Sequence, residues 1–389
     1  RLPGLLRRVR VSAGNLALLG VLSLVAALLV TGAPRLANRY ADQGLGQDIG
    51  PLPHQVRDLT YTTRPNPHAA ADPTAAADLD TIRTRLPDPL PALIGQQWFA
   101  AQVGPESVRI SGPGWPENCP PVLPLRYQTG VEPAARMVQG RWPASQGTTV
   151  EAVVSAAAAD VTGLRVGSAF TMTGNGGGTV RVHVVGVYEP VDPAAPIWAD
   201  LGPVDATCPE GLTRRAAVLT DPAGLAEAAR RVEVLHHEWR YRIAEERLTT
   251  AALPALLTAV ASSGRTPPEP GLSLVTGLDT ALAAFAAQHR SVQALLAVVQ
   301  AGVLATLFGL VLLAARLAVE RRRTEFSLLR ARGATAVGIG LRTLRETGLV
   351  LPAGTLAGWL LGRLVPGRAS KAEWLVLAVA AVTTLAVPV

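Results

Sequence analysis

The sequence predicts an α-helical membrane domain of four transmembrane helices together with an extracytoplasmic domain of the α+β class. Three observations support this fold class: the composition, the placement of four apolar segments, and the distribution of charge. The 389 residues are 49% hydrophobic but only 4% aromatic, and the mean hydropathy is +0.27. Soluble globular chains rarely combine these values, so the sequence predicts membrane insertion.

The net charge of +7 is divided unevenly along the chain. Residues 34–290 contain 21 basic and 25 acidic residues, whereas the rest contains 15 basic and 4 acidic residues. The positive charge therefore lies beside the apolar segments, as expected for membrane topology. A nucleic-acid partner is not expected, because a phosphate-binding surface needs basic residues on the folded domain itself.

Four apolar segments define the predicted membrane domain. Because a bilayer core about 30 Å thick needs ~20 helical residues, the first three are long enough to span it. The fourth has only 16 residues and ends without a polar flank, so we expect it to be incomplete and the native chain to continue. After a cytoplasmic N-terminus at 1–10, the predicted spans are 11–33, 291–315, 347–365 and 374–389.

Arginine counts beside the spans predict their orientation. Residues 1–10 and the predicted coupling loop at 316–346 are rich in arginine, and by the positive-inside rule both are cytoplasmic. Residues 34–290 are then extracytoplasmic. An alternative interpretation makes residues 1–33 a cleaved signal peptide, which has a similar basic and apolar pattern.

The predicted outer domain, 34–290, mixes short strand and helix patterns without regular βαβ order, which favours an α+β fold. Thr179–Tyr188 alternates valines with polar residues, as a half-buried strand does. Residues 174–178 read Gly-Asn-Gly-Gly-Gly and predict a hairpin turn, because no Gly-Lys-Ser/Thr follows to form a phosphate loop. Asp279–Ala287 looks helical and leads directly into the second span, so we expect a continuous helical stalk.

The two cysteines, Cys119 and Cys208, both lie in the predicted outer domain. Two cysteines in an oxidising compartment favour a disulfide between them. Two unpaired buried thiols are the alternative.

Catalytic residues, a metal site and a bound cofactor are not expected in this chain. The sequence has no GxxxxGK[ST] motif, so ATP would bind elsewhere. The adjacent His236 and His237 would point to opposite faces of a strand and cannot easily share an ion. No ionisable residue lies in the core of a predicted span, which argues against a proton or ion pathway.

The segment Glu320–Thr335 resembles the cytoplasmic signature of the FtsX/MacB-type ABC permeases, whose core reads R-x-x-E-x-x-x-L-R-A-x-G-A. Four stretches of the predicted outer domain resemble the ectodomain of the same family: Gly140–Pro143, Glu151–Ser155, Leu164–Gly167 and Val182–Tyr188.

The resemblance implies a multi-pass permease subunit in a bacterial plasma membrane. ATP would be bound by the ABC ATPase, which is a separate polypeptide. The subunit's other partners would be membrane lipid and a second copy or second permease half. The implied activity is export or extraction of a hydrophobic or amphipathic substrate. One alternative is a mechanotransmitter that moves no solute and regulates an outer partner such as a cell-wall enzyme. Another is a membrane-anchored binding receptor with no ATPase.

Two sets of site residues follow. The predicted ATPase-docking element is a short amphipathic helix in which apolar side chains lie among arginines. Its residues are Glu325, Phe326, Leu328, Leu329, Arg330, Gly333 and Ala334. Arg321–Arg323 are better explained as an ordinary basic loop at the lipid headgroups. In the third span, Gly354, Gly358 and Gly362 recur every four residues and predict close helix packing, within the chain or between copies.

Overall fold

The computed structural model describes residues 3–63, 78–103, 108–112, 114–232, 235–331, 350 and 352–369. The chain divides into two compact units, the first formed by 1–45 and 285–389 and the second by 46–284. Among the described residues, two helices contain 30-residue stretches apolar enough to cross a membrane, Gly20–Ile49 and Leu278–Leu307. The second unit is a large mixed sheet with short helices, in agreement with the predicted α+β class.

The helices vary widely in length, from a single turn to 54 residues. They are α1 Pro3–Ile49, α2 His54–Arg57, α3 Asp78–Arg85, α4 Leu90–Leu93, α5 Ala156–Thr162, α6 Pro222–Val232, α7 Leu253–Arg265, α8 Leu278–Ala331 and α9 352–363.

The strands are β1 Leu59–Thr63, β2 Ile94–Val103, β3 Val108–Ser111, β4 Leu125–Gln128, β5 Ala135–Gly140, β6 Val150–Ser155, β7 Ala169–Gly174, β8 Thr179–Pro190, β9 Val204–Cys208, β10 Gly211–Arg215, β11 Val218–Leu219, β12 His236–Ile243 and β13 Leu272–Val275. In the described part of the chain, eleven of them form one sheet in the order β13-β1-β12-β2-β4-β11-β6-β8-β7-β3, with β5 on β8. The pairs β4–β11 and β6–β8 are parallel and the others antiparallel, while β9 and β10 form a separate hairpin.

Strand β8 organises one half of the sheet. Val180, Val182 and Val184 are buried while Thr179 and Arg181 are exposed, which confirms the predicted alternation. Helix α6 lies across β2, β4, β6 and β8 and buries one apolar face against them. The core of the second unit therefore lies between the sheet and its helices.

The glycine-rich run between β7 and β8 is a hairpin turn, as predicted. Gly174 donates its N–H to the carbonyl of Gly178 at 2.9 Å. A Cβ at Gly178 would overlap the carbonyl oxygen of Arg231 at the end of α6. Glycine is thus required here because the turn lies directly against the helix end.

The structure extends two helices beyond their expected boundaries. Helix α1 runs to Ile49 with Pro34 inside it, so residues 34–49 are helical where the outer domain was expected to begin. Helix α8 begins at Leu278, which confirms the helical stalk. It then continues through 316–331, part of the predicted coupling loop, because 310–331 contains neither glycine nor proline.

The third predicted span corresponds to α9, of which 350 and 352–363 are described as helical. The fourth, 374–389, lies outside the described residues. Two helices, rather than four, meet the length and apolarity of a membrane span in the described part of the chain.

Candidate functional site

The predicted docking residues lie at the end of α8. Glu325, Phe326, Leu328, Leu329 and Arg330 occupy its last turns, whereas Gly333 and Ala334 lie outside the described residues. We expected a separate short helix here, but the segment continues α8 without a break. A 54-residue helix is roughly 80 Å long at 1.5 Å per residue. One continuous helix therefore begins in the sheet unit and ends in the arginine-rich segment.

The three predicted packing glycines lie against α1. A Cβ at Gly354 would lie 2.5 Å from the Gly20 carbonyl oxygen, and one at Gly362 would lie 2.7 Å from Cβ of Thr31. A Cβ at Gly358 would overlap the carbonyl oxygen of Leu24. The two helices thus pack at backbone contact within one chain, which only glycine permits.

The register of these contacts shows that α1 and α9 run parallel. Val350 lies by Gly20, and Val365 by Gly32. Beyond the end of α9, the Arg368 guanidinium lies 2.6 Å from an oxygen of Asp42, which places an ion pair at the end of the packed helices.

A junction in the second unit holds the end of α1 and the start of α8 close to one segment. The carbonyl of Val56 accepts hydrogen bonds from the Gly277 N–H at 3.2 Å and from the Thr276 hydroxyl at 3.3 Å, just before α8 begins. Arg57 donates to the carbonyl of Gly50, the residue after α1, at 2.6 Å. Val56 therefore contacts the residues just before α8, and the next residue, Arg57, contacts the residue just after α1.

A buried charge network adjoins this junction. His54 Nε2 lies 2.6 Å from an oxygen of Asp200, and the other oxygen of Asp200 accepts a hydrogen bond from Arg240. Arg126 lies 3.2 Å from Glu238, and Arg240 lies 3.8 Å from the same carboxylate. Arg126 and Arg240 are both buried, and such buried cations require partners to be tolerated.

The network affects two carboxyls differently, those of the buried Asp58 and of the more exposed Asp200. Burial raises the pKa of Asp58, and the nearby arginines only partly oppose it, since neither carboxyl oxygen has a hydrogen-bond partner among the described residues. Burial also disfavours ionised Asp200, but the charges of Arg240 and His54 outweigh it and lower its pKa. Asp200 is therefore stabilised as the anion and Asp58 is not.

The disulfide between Cys119 and Cys208 is present, with the two Cα atoms 5.5 Å apart. It joins the end of β9 to the loop before β4. Asn118 donates to the Glu210 carboxylate at 2.5 Å, and Thr213 donates to the Pro120 carbonyl at 2.9 Å. The β9–β10 hairpin is thus fixed to the sheet unit by a covalent bond and by hydrogen bonds that include these two.

The buried network was missed from the sequence. Arg240 stands between Trp239 and Tyr241 in a strand, and its alternation with aromatic residues suggests an exposed face. The structure buries it against Trp98, with the guanidinium 5.6 Å from the ring centroid. The strand itself, with two histidines, a glutamate and two arginines in eight residues, gives no local signal that Arg240 is buried.

The chain is weakly similar to a solved structure. A crystal structure described as a domain of a "putative Permease protein" from Porphyromonas gingivalis is similar at 13% identity, with 57% of this chain and 90% of that chain covered. The TM-score of 0.26 is too low to carry an argument about function. The chain matches no protein-family model and no curated protein sequence.

Proposed function

We propose that this chain is the permease subunit of an FtsX/MacB-type ABC complex, with four spans and the sheet unit outside a bacterial plasma membrane. It would couple a separate ATPase to export or extraction of a hydrophobic or amphipathic substrate. The observation that carries the proposal is α8, a single helix that starts in the sheet unit and contains Glu325–Arg330 of the family-like segment in its last turns. A movement at one end of such a helix is transmitted to the other.

The parallel packing of α1 and α9 supports the proposed topology. If α1 leaves the cytoplasm and α8 returns to it, the next span must run in the same direction as α1. The contacts of Gly354, Gly358 and Gly362 with α1 have this register. A receptor anchored by one helix would need no such pairing.

The mechanotransmitter is the second candidate, and the junction favours it. Val56 and Arg57 contact both helix ends, so a shift of α8 would reach α1 and the sheet through two residues. Such a device transmits motion whether or not a solute crosses the membrane. Export of a labelled substrate from vesicles, measured against release of an outer partner, separates the two functions.

The docking role is tested by Leu329→Asp, which places a charge in the proposed apolar contact. We expect the ABC ATPase that co-purifies with the membrane-extracted chain to fall by about tenfold or more, since loss of a buried anchor costs ~2 kcal/mol or more. Leu212→Asp is the matched control, because Leu212 is exposed on β10 in the sheet unit. Wild-type ATPase yield with Leu329→Asp would exclude this segment as the docking element.

A further inference from the structure

A cleft in the sheet unit is lined by residues other than those of the junction and of the ends of α1 and α8. Its volume is 340 Å³, at the lower end of the usual range for small-ligand sites. It is formed where the turn after β4, the segment following β5 and the start of α6 come together. We call it the acidic cleft, and its main lining residues are Tyr127, Glu132, Trp142, Pro143, Asp221 and Pro222.

The charged side chains that line the acidic cleft all have the same sign. Glu132 and Asp221 are both carboxylates, and no arginine or lysine lines the cleft. Among the described residues, Asp221 accepts hydrogen bonds from Ser145 at 2.5 Å and from Thr220 at 3.5 Å, both on Oδ1. The second oxygen, Oδ2, is therefore left for a ligand.

The aromatic side chains that line the acidic cleft pack against buried aromatic residues. The indole of Trp142 stacks on Tyr188 with ring centroids 5.9 Å apart, and Tyr188 stacks on the buried Trp198 at 5.6 Å. Tyr127 packs against the buried Phe99 at 6.4 Å. Burial together with the charge of Glu132 raises the pKa of Tyr127, so its hydroxyl stays protonated and can donate a hydrogen bond.

We propose that the acidic cleft binds an organic cation, a primary ammonium or guanidinium group carried on an alkyl chain. Two carboxylates supply charge-assisted hydrogen bonds, and an electron-rich indole face attracts the cation while its ring packs on the alkyl chain. The volume suits one such chain rather than a large ligand. The source is either a lysine or arginine side chain of a polypeptide or a free amine. This inference goes beyond the proposed function, because it requires no ATPase.

The test uses the purified full chain in lipid nanodiscs and saturation-transfer NMR. The probes are N-acetyl-arginine amide for a polypeptide source and cadaverine for a free amine. N-acetyl-citrulline amide is the uncharged control for the arginine probe. We expect one or both cations to bind about tenfold or more tightly than the citrulline compound. Preference for the arginine probe identifies a polypeptide source, and preference for cadaverine identifies a free amine.

Variants then locate the site. Glu132→Gln combined with Asp221→Asn is expected to weaken binding of the cation by about tenfold or more. Glu132→Gln alone changes an exposed side chain and keeps the test valid if the double variant misfolds. Asp160→Asn, an exposed acid on α5 outside the cleft, is the matched control and should bind as the wild type does. Equal binding of the citrulline compound, or unchanged binding in both cleft variants, would overturn the proposal.

Discussion

At the scale of single residues, Asp58 and Asp200 both lie near Arg240 and His54 but have pKa values shifted in opposite directions. The difference lies in their partners. Asp200 is bridged by His54 and Arg240, whereas Asp58 lies 3.5 Å from Arg57 Nε but its oxygens receive no hydrogen bond from the described residues. A buried charge contributes stability only when its partners offset the cost of removing it from water.

This contrast predicts opposite effects of removing each charge. Asp58→Asn should raise the free energy of unfolding at pH 7, because the raised folded-state pKa means that ionised Asp58 opposes folding. The gain should disappear as pH falls below the unfolded pKa of 3.8. Urea unfolding of the detergent-solubilised chain at pH 7 and near pH 3, followed by near-ultraviolet circular dichroism, measures both.

Asp200→Asn is the matched comparison for this prediction. The folded-state pKa of Asp200 is lowered, so its contribution is present above the unfolded pKa and is lost as pH falls through the folded value. We therefore expect Asp200→Asn to lower stability at pH 7 by an amount that shrinks on acidification. Changes of the same sign in the two variants would contradict the account of the network.

At the scale of elements, the glycines of α9 have a sharply defined role. Each of Gly354, Gly358 and Gly362 has backbone or Cβ atoms of α1 closer than 3.0 Å to its missing Cβ. By contrast, a Cβ at Gly309 of α8 would meet nothing within 4 Å. A larger side chain at these positions of α9 would therefore clash with α1, whereas one at Gly309 of α8 would meet no neighbouring atom.

Gly358→Leu should separate α1 from α9. In a background with Gly32→Cys and Val365→Cys, the two new thiols lie at the helix contact and should form a disulfide under mild oxidation. Adding Gly358→Leu should abolish most of this cross-link, while Gly309→Leu should leave it unchanged. Cross-linking is read from the mobility of the chain on non-reducing gels. An undiminished yield with Gly358→Leu would show that the helices do not pack through this face.

The sequence predicted those elements whose signals are local. The alternation of Val180, Val182 and Val184 identified a strand, and the run of glycines at 174–178 identified its turn. The helix that contains the predicted span 11–33 continues past Pro34 to Ile49, an extent that the apolar pattern did not indicate. The pairing of α1 with α9 and the burial of Arg240 depend on residues distant in the chain, and no local pattern reports them.

At the scale of the whole molecule, the sheet unit is inserted in the sequence between the two segments that form the other unit. Residues 46–284 form one compact unit, and the first unit is formed by the segments that precede and follow it in the sequence, 1–45 and 285–389. Both connections to the sheet unit are helical, through α1 and α8.

The proposed topology predicts which positions are accessible in whole cells. The native cysteines are joined in a disulfide, so an added thiol is the one available for labelling. Gly176→Cys in the β7–β8 turn should react with a membrane-impermeant maleimide in intact cells. Thr335→Cys should react only after permeabilisation. The reverse pattern would overturn the orientation and, with it, the proposed permease.

The packing of α1 with α9 also has a consequence for synthesis. Asn38 of the first helical segment hydrogen-bonds the carbonyl of Arg368, 330 residues later. At a ribosomal rate of 5–20 residues per second, α1 emerges roughly 15 to 70 seconds before the surface that will cover it exists. Until then the α1 surface of Gly20, Leu24 and Thr31 is without the helix that packs against it. Pairing of α1 with α9 is therefore a late event in the synthesis of this chain.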